Sequence, residues 1–462
     1  MRKLACVLFS FSLLASLAMA QEPGQPNRAN ILTEDSKIIQ ETKAAAEKAV
    51  APKGVAAVPV QKSKVSPGKK IPNSYVVVLK DDFVAPFATT KSAKATSRAS
   101  QAAAAKKHQA GAEKKIRKYA TETLGLSNDE IGEIFTGIQS GFTVKLKPKK
   151  SGAGAWLTRA KSAKNTAEAF QDQEMEGSLV SAGPIVDQYS PEAWAGQYAD
   201  YSNWVGGGCD CTGYNRWIWV LDSGIDLNHP DLNVNRGYAK TYVPGTTSAE
   251  DDHGHGTHVA GIAAAKNNGY GALGIAHGAT VVPVKVLNSS NRGYYSWFLA
   301  GLNWVYQNSL AGDVVNFSIG GRISASAPET VVEKAIKKLG AKGVYVVIAA
   351  GNDKIHSRGY HPARLNASKV YTIAATQQGV FWWWNLFADQ FSNYGKPPVD
   401  FAAPGNNIYS TYKNGGYRYM SGTSMAAPNF SGVLLCGIKR KKGYNFYKVQ
   451  PHSHNLYIVR PK

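Results

Sequence analysis

Between residues 216 and 376 the chain carries a succession of short apolar runs, and each run ends at a residue that favours turns. The runs are WIWVLD, TVVPVKVLN, DVVNFSIG, VYVVIAAGN and VYTIAAT. Apolar residues at consecutive rather than alternating positions are typical of strands buried on both faces, which occur in parallel sheets. This pattern restricts the fold more than any other feature of the sequence.

Helical patterns lie between these runs. SWFLAGLNWVYQN has apolar residues at Phe298, Leu302 and Val305, and PETVVEKAIKKLG repeats them at helical spacing between Pro328 and Gly340. The alternation of strand and helix predicts an α/β fold, with an open, mostly parallel sheet and helices on both of its faces. Ligands of such sheets bind beyond the carboxyl ends of the strands, so candidate functional residues are sought there.

The N-terminus has the features of a secretory signal peptide over residues 1–20. Arg2 and Lys3 precede an apolar run that ends at Ala18-Met19-Ala20, a small-residue cleavage site. We therefore expect a protein that is secreted, or periplasmic if the organism has that compartment. We expect no membrane span, since the later sequence has no apolar stretch of the necessary length.

Three further regions are predicted from the composition and the residue patterns of the sequence. Residues 21–70 are rich in Ala, Lys, Glu and Pro, which indicates a low-complexity tether. Residues 71–180 combine a β-branched run, an Ala/Lys-rich helical segment at 91–120 and two alternating runs at 134–148, which indicates a small α+β domain. Residues 181–462 then contain the α/β domain.

The formal charge of +21 raises the question of an acidic partner. Most lysines of residues 21–180 are separated by Ala, Ser and Thr, which is typical of a solvated segment. The tightest basic cluster, Lys439 to Lys442, is short, and only residues 439–447 come close to the clustered basic residues with interleaved aromatics that a nucleic-acid binder needs. We therefore predict no nucleic-acid partner, and we expect a monomer.

Cys209, Cys211 and Cys436 remain after removal of the signal peptide. Export places them in an oxidising compartment, where an odd number of cysteines cannot all pair internally. The CDC pair could bind a metal or carry redox chemistry, but it lacks the second thiol pair typical of such sites. There are two simpler alternatives: either one cysteine of the CDC pair forms a disulfide with Cys436, or the cysteines are free thiols. The sequence does not distinguish between them.

Two polar residues follow the predicted strands. Asp222 ends WIWVLD, where turn amides can hold a carboxylate, and Asn352 follows VYVVIAAG, where its side-chain amide can donate to an oxyanion. Each residue alone is an ordinary strand-end or turn residue. Both are expected at the carboxyl edge of the sheet, because parallel strands end at the same edge.

The histidine-rich stretch DDHGHGTHVAGIAAA, residues 251–265, starts a helical pattern at His255. His258 lies three residues further on, whereas a zinc pair on a helix usually has histidines four apart with a glutamate between them. Gly256 and Thr257 stand between the two histidines here. The pattern therefore does not favour a metal site.

Ser424 lies in YMSGTSMAAPNFSG, where the chain passes from Gly422 into an Ala-rich helix. The unpaired amides and dipole of a helix N-terminus favour negative charge that develops there. The G-x-S-x-G elbow of α/β-hydrolases is absent, since Ala426 replaces its second glycine. A single serine at this position is normally an N-cap, but the chain order Asp, His, Ser is one of the known orders of a catalytic triad.

The motifs at these residues resemble those of the subtilisin-like serine proteases (subtilases), particularly the secreted branch that includes proteinase K. VLDSGIDLNHPDL, HGTHVAG and SGTSMAAP are similar to the family's aspartate, histidine and serine motifs. VVNFSIGG and AAGND resemble its substrate-binding strand and oxyanion segment. The resemblance covers about residues 215–435 and implies a serine endopeptidase that hydrolyses peptide bonds through an acyl-enzyme.

The resemblance also implies residue roles. Ser424 is the expected nucleophile, His255 the general base, and Asp222 the residue that orients the imidazole. Asn352 and the backbone N–H of Ser424 are the expected oxyanion donors. His258 is then a structural helix residue.

The same resemblance predicts a substrate cleft and a zymogen. The residues expected to contact substrate are Ser318, Ile319, Gly320, Ala349, Ala350 and Gly351. Their small side chains predict an open, apolar slot and broad cleavage after apolar or aromatic residues, with Asp353 at its rim. Residues 71–180 resemble an inhibitory propeptide, which predicts self-cleavage within residues 150–195 and explains the basic segment without nucleic acid.

Partners and cofactors follow from this interpretation. We expect protein or peptide substrates, the chain's own propeptide as an intramolecular inhibitor, and no required cofactor. Structural calcium is compatible with the resemblance, although the sequence does not identify its ligands. The alternative is a catalytically silent, subtilase-like binding protein.

Overall fold

The computed structural model describes residues 68–89, 97–147, 152–186, 208–378, 385–437, 448–449 and 456–458. The predicted signal peptide, most of the predicted tether and the basic cluster at 439–442 lie outside the described residues. The strands are β1 (Lys70–Leu79), β2 (Ile131–Phe135), β3 (Gly141–Lys145), β4 (Thr166–Gly177), β5 (Ser181–Val186), β6 (Ile218–Asp222), β7 (Asn233–Val234), β8 (Lys240–Thr241), β9 (Thr280–Lys285), β10 (Arg292–Tyr294), β11 (Val314–Phe317), β12 (Ile319–Arg322), β13 (Tyr345–Ala349), β14 (Tyr360–His361), β15 (Val370–Gln378), β16 (Asn385–Phe387), β17 (Val399–Pro404), β18 (Ile408–Tyr412), β19 (Gly416–Ser421), β20 (Lys448–Val449) and β21 (Leu456–Ile458). The α-helices are α1 (Arg98–Glu122), α2 (Ala153–Ser162), α3 (His255–Ala264), α4 (Tyr295–Asn308), α5 (Val331–Lys342) and α6 (Thr423–Cys436).

The central sheet is mostly parallel. Its strand order is β20-β21-β17-β15-β13-β11-β6-β9-β7, and every neighbouring pair from β21 to β7 runs parallel. The antiparallel additions are β16 beside β15 and β20 beside β21. The prediction of an open, mostly parallel α/β sheet is confirmed.

Helices cover both faces of this sheet. Alternate residues of β6 point to opposite layers: Ile218 and Val220 pack with α3 and α6, whereas Trp219 and Leu221 pack with α4 and α5. All four side chains have no exposed surface, which explains why the strand reads as one continuous apolar run.

Helix α5 shows how local sequence sets the bounds of an element. The Thr330 hydroxyl accepts from the backbone N–H of Glu333, and the Glu333 carboxylate accepts from the backbone N–H of Thr330, so a capping box starts the helix. The helix continues past Gly340 and ends at Gly343, whose φ of 97° is readily adopted only by glycine. The sequence pattern located this helix but placed its end too early.

The N-terminal part of the chain forms an antiparallel sheet in the order β4-β1-β3-β2. One face of β1 packs against α1 and α2, where Val77, Ile116 and Trp156 are buried in a separate apolar core. Strand β1 and helix α1 coincide with the β-branched run and the Ala/Lys-rich segment of the sequence. The division of the chain into domains and the role of this part remain predictions.

The last strand of this part, β4, extends the antiparallel sheet onto strands from the α/β part of the chain. The end of β4 pairs antiparallel with β12 on one side and with β10 on the other. Beyond a short gap, β5 pairs antiparallel with β19. The segment between β4 and β5 therefore crosses the carboxyl edge of the parallel sheet.

None of the helices in the described ranges is both long enough and apolar enough to span a bilayer.

Candidate active site

Asp222 and His255 meet at the carboxyl edge of the parallel sheet. Asp222 is the last residue of β6 and His255 the first of α3, and Nδ1 of His255 lies 2.7 Å from Oδ1 of Asp222. The same Oδ1 accepts from the backbone N–H of Ser223 at 2.7 Å, which fixes the carboxylate relative to its strand. Both side chains are fully buried, so the pair holds the imidazole in a set orientation.

A residue that the sequence reasoning missed, Asp251, builds the turn that carries His255. One of its oxygens accepts from the N–H of Gly254 at 2.7 Å and from the hydroxyl of Ser223 at 2.8 Å. Its other oxygen accepts from the N–H and the hydroxyl of Thr257, at 2.8 and 2.6 Å. Asp251 thus ties the start of α3 to the end of β6 and positions His255 beside Asp222.

The His258 side chain makes no hydrogen bond to His255. His258 is buried, and its Nε2 lies 3.1 Å from the carbonyl oxygen of Ile408 and 2.9 Å from that of Arg418. Burial lowers the pKa of His258 to about 3, so this side chain is a neutral structural donor. The structure therefore offers no paired arrangement of His255 and His258 for a metal.

Ser424 is the second residue of α6 and is buried. Its hydroxyl donates to the carbonyl oxygen of Ser318 at 3.2 Å, and the structure gives it no hydrogen bond to His255. Nε2 of His255, which is buried, has no hydrogen-bond partner within the described ranges. The imidazole nitrogen expected to receive the serine proton therefore makes no hydrogen bond to Ser424 in this structure.

Asn352 is held next to the N-terminus of α6. Its Oδ1 accepts from the backbone N–H and the hydroxyl of Thr423, both at 2.9 Å, which directs the Nδ2 group away from Thr423. A β-carbon built on Gly422 would lie 3.3 Å from this Nδ2 and 2.6 Å from the carbonyl oxygen of Ser178. The Asn352 amide and the Ser178 carbonyl therefore border the same small volume.

The residues that follow β4 occupy the cleft, with Ser178 at the centre of a tight turn in which the N–H of Leu179 donates to the carbonyl of Gly177 at 2.9 Å. The N–H of Ser178 donates to the carbonyl of Ser318 at 3.0 Å, and the carbonyl of Ser178 accepts from the N–H of Ser424 at 3.4 Å. Two residues later, the N–H of Val180 donates to the carbonyl of Ser421 at 2.8 Å. The Ser178–Leu179 peptide bond consequently lies at Ser424, with its oxygen directed toward the amide donors.

The predicted substrate-binding residues line this peptide. Ile319 and Gly320 of β12 pair with Gly177 and Glu176, as expected for an edge strand that binds a substrate backbone. The second wall consists of Ala349, Ala350 and Gly351, and it is braced by Asn393, whose Nδ2 donates to the carbonyl of Ala350 at 2.9 Å.

The open slot expected between the two walls is wrong for this structure. Tyr360 is 3% exposed, and a β-carbon on Gly351 would lie 2.7 Å from its Cδ1 and Cε1 atoms. A β-carbon on Gly320 would overlap the same ring, so the ring lies between the two walls. Asp353 at the rim is paired with Arg322 at 3.0 Å.

The cysteine alternatives are resolved by the three-dimensional arrangement. Cys209 and Cys436 form a disulfide that joins the end of α6 to the segment before β6, and Cys211 is a buried free thiol. Burial raises the pKa of Cys211 to about 11, which disfavours its reactive thiolate form. Among the described residues these sulfurs form the one cluster of three potential metal ligands, but two of them are joined in the disulfide and cannot act as thiolates.

A buried carboxylate-imidazole pair, a helix-initial serine and an amide side chain lie at the carboxyl edge of the parallel sheet, and Asp-His-Ser hydrolases use this set of residue types. The sequence pattern described as "Subtilase family" matches residues 214–454. The chain belongs to the subtilase family.

Relatives and a solved structure show the extent of the similarity. Subtilisin NAT of Bacillus subtilis subsp. natto is 39% identical over 227 residues, which are 48% of this chain and 55% of that protein. Subtilisin BL of Lederbergia lenta is 38% identical over 244 residues, which are 53% of this chain and 84% of that protein. The chain thus spans about half the length of Subtilisin NAT. A crystal structure of a cold adapted subtilisin-like serine proteinase has a TM-score of 0.41 and 33% identity, covering 48% of this chain and 74% of that one.

Proposed function

We propose that this protein is a serine endopeptidase made as a zymogen, and that it cuts its own Ser178–Leu179 bond. One observation carries the proposal: the carbonyl oxygen of Ser178 accepts from the N–H of Ser424 at 3.4 Å, while the N–H of Ser178 donates to Ser318. A peptide held in this way presents its carbonyl carbon to the Ser424 hydroxyl. The acyl transfer site and a bound substrate-like segment thus occur in one chain.

The chemistry follows from the arrangement of the side chains. Ser424 Oγ attacks the Ser178 carbonyl carbon, and His255 Nε2 takes the serine proton. Asp222 stabilises the imidazolium through its bond to Nδ1, and the Ser424 N–H with the Asn352 amide stabilises the oxyanion. The imidazolium then protonates the amine of Leu179, which leaves, and a water hydrolyses the Ser178 ester of Ser424.

The N-terminal part fits the role of an inhibitory propeptide. After cleavage, β4 would still lie between β10 and β12 with its C-terminal Ser178 at the nucleophile. The product would therefore continue to block the cleft until it dissociates or is degraded. The regions before it, with the predicted signal peptide, support export of the zymogen to the cell exterior or a periplasm.

Processing of the full-length chain tests this function. The wild-type chain should yield a fragment that begins at Leu179, whereas Ser424→Ala should stay at full precursor length in the same protease-free host. Ser326→Ala is a matched control, because Ser326 is an exposed serine that is not among the cleft-lining residues, and it should process normally. Identical processing of wild type and Ser424→Ala would contradict self-cleavage and favour the catalytically silent alternative.

We also propose that calcium binds near Asp231. This carboxylate is buried, and its oxygens accept from Asn268 Nδ2 at 3.0 Å and from the N–H of Ala272 at 2.9 Å. Burial raises the pKa of Asp231 to about 7, and a bound cation would offset the burial of its charge. Calcium prefers carboxylate oxygens, so the Asp231 carboxylate would serve as one ligand in place of its bonds to Asn268 and Ala272.

A further inference from the structure

We infer that Tyr360 and Asn291 restrict the cleft to peptides with glycine followed by a small residue immediately before the scissile bond. This inference rests on the proposed function and names its substrate class. It replaces the broad preference for apolar or aromatic residues that the small side chains of the cleft walls suggest.

Tyr360 limits the residue directly before the scissile bond. Its ring lies between Gly320 and Gly351, so it fills the space that a large side chain would enter from the position of Ser178. Ser178 itself is 3% exposed, which shows that its side chain is enclosed at this position. A phenylalanine or leucine there would have to displace the ring.

The position of the ring is fixed by the surrounding residues. Tyr360 lies in β14, which pairs antiparallel with β12 through Arg322. The next residue, His361, is buried with its Nδ1 3.0 Å from a Glu333 oxygen. Because the backbone on both sides is anchored, the ring cannot leave without breaking buried contacts.

The Tyr360 hydroxyl also lies near the side chain of Ser178. Burial is the main cause that raises the pKa of Tyr360, the charge of Asp353 raises this pKa further, and the hydroxyl of Ser178 lowers it. Ser178 Oγ is buried and makes no hydrogen bond of normal geometry within the described ranges. The Tyr360→Phe variant removes this hydroxyl and keeps the ring, so it separates the effect of the hydroxyl from that of size.

Asn291 limits the residue one position earlier. Gly177 and Asn291 form two hydrogen bonds with each other. The Gly177 N–H donates to the Asn291 carbonyl at 3.0 Å, and Asn291 Nδ2 donates to the Gly177 carbonyl at 3.3 Å. A β-carbon on Gly177 would lie 2.7 Å from Cγ of Asn291. Asn291 is 8% exposed, so its amide has little room to move aside.

The test uses the self-processed enzyme and peptides that copy residues 175–180, Met-Glu-Gly-Ser-Leu-Val. One peptide has phenylalanine in place of the serine, and another has alanine in place of the glycine. We expect each change to lower kcat/KM by on the order of 10- to 100-fold, the range expected from overpacking a filled site.

Two variants separate the two positions. Tyr360→Gly should raise kcat/KM for the phenylalanine peptide by at least about tenfold while leaving the alanine penalty unchanged, and Asn291→Gly should do the reverse. Tyr360→Phe is the matched control, because it keeps the ring and should keep the restriction. If Tyr360→Gly does not fold, Tyr360→Ala and the Asn291→Gly arm still test the inference.

Equal rates for the serine and phenylalanine peptides with wild type would overturn the inference while leaving the peptidase function standing. An unchanged ratio in Tyr360→Gly would also overturn it. A folded wild type that neither processes itself nor cleaves any peptide would refute the proposed function and this inference together.

Discussion

Arg98 is expected to hold the N-terminal part of the chain on the rest of the molecule. It is the first residue of α1, and its guanidinium forms a two-pronged ion pair with Asp313, with N–O distances of 2.5 and 2.6 Å. The two side chains are 7% and 0% exposed, and the guanidinium also lies 3.7 Å from the ring centroid of Trp217. Arg98→Ala would leave the Asp313 carboxylate without its cationic partner.

The magnitude follows from the other contacts of Asp313. Truncation of one partner of a buried, hydrogen-bonded charge pair costs about 2–5 kcal/mol, mostly as faster dissociation. Asp313 keeps the N–H of Trp217 at 3.2 Å, the indole N–H of Trp219 at 3.0 Å and the N–H of Leu310 at 2.9 Å. We therefore expect the lower part of that range, about 2–3 kcal/mol, or ~30- to 150-fold faster release of the cleaved N-terminal part.

The assay is the lag before peptide hydrolysis appears after the self-cleaved complex is diluted. Arg117→Ala is the matched control, because Arg117 lies on the same helix and pairs with Glu113 at 2.9 Å on the surface, both about 40% exposed. Such exposed pairs contribute little, so the control should shorten the lag at most about fivefold. Equal lags for Arg98→Ala and Arg117→Ala would refute the reasoning that the buried pair anchors this part.

Other variants test the oxyanion donor, the buried histidine and the calcium proposal. Asn352→Ala should lower kcat by on the order of 10²–10³ with little change in KM, a magnitude known from subtilisin itself; an unchanged kcat would contradict its role. The pKa of His258 is about 3 in the folded state and about 6.5 in the unfolded state, so the free energy of unfolding should fall as the pH drops from about 6.5 toward 3. His258→Gln should reduce the slope of this fall by up to ~1.4 kcal/mol per pH unit, as measured by urea unfolding of Ser424→Ala chains. Calcium should raise the Tm of the Ser424→Ala chain, and Asp231→Asn should abolish that increase.

The strand and helix pattern of the α/β part could be predicted from sequence because a strand that is buried on both faces has apolar residues at consecutive positions. Ile218 to Leu221 are apolar in succession since each face of β6 is covered, and Asp222 stands out at the end of that run. The strand ends and helix starts then place Asp222, His255 and Ser424 at one edge. Their proposed roles came from the motifs, which local physics alone does not assign.

The contents of the cleft could not be predicted in this way. Tyr360 approaches Gly320 and Gly351 only through the pairing of β14 with β12, and no periodicity in the sequence signals a side chain that enters the cleft from there. The small residues of the two walls therefore suggested an open slot that a distant aromatic ring fills.

The cleavage position and the turn at His255 depend on tertiary register as well. Ser178 reaches Ser424 because β4 pairs with β12 in one register, and a sequence pattern defines a strand without defining its partner. Asp251 looks like one of several acidic residues in a polar turn until its hydrogen bonds to Ser223 and Thr257 are seen. The choice of Cys436 as partner for Cys209 likewise needed the distance between them.

Covalent labelling of the processed protein with a fluorophosphonate tests the central claim most directly, because this reagent reports a serine that a base has activated. We predict one label on Ser424 of the folded wild type, and none on Ser424→Ala or His255→Ala. A folded, processed wild type that takes up no label, or a label that persists in His255→Ala, would contradict the claim that Asp222, His255 and Ser424 act together.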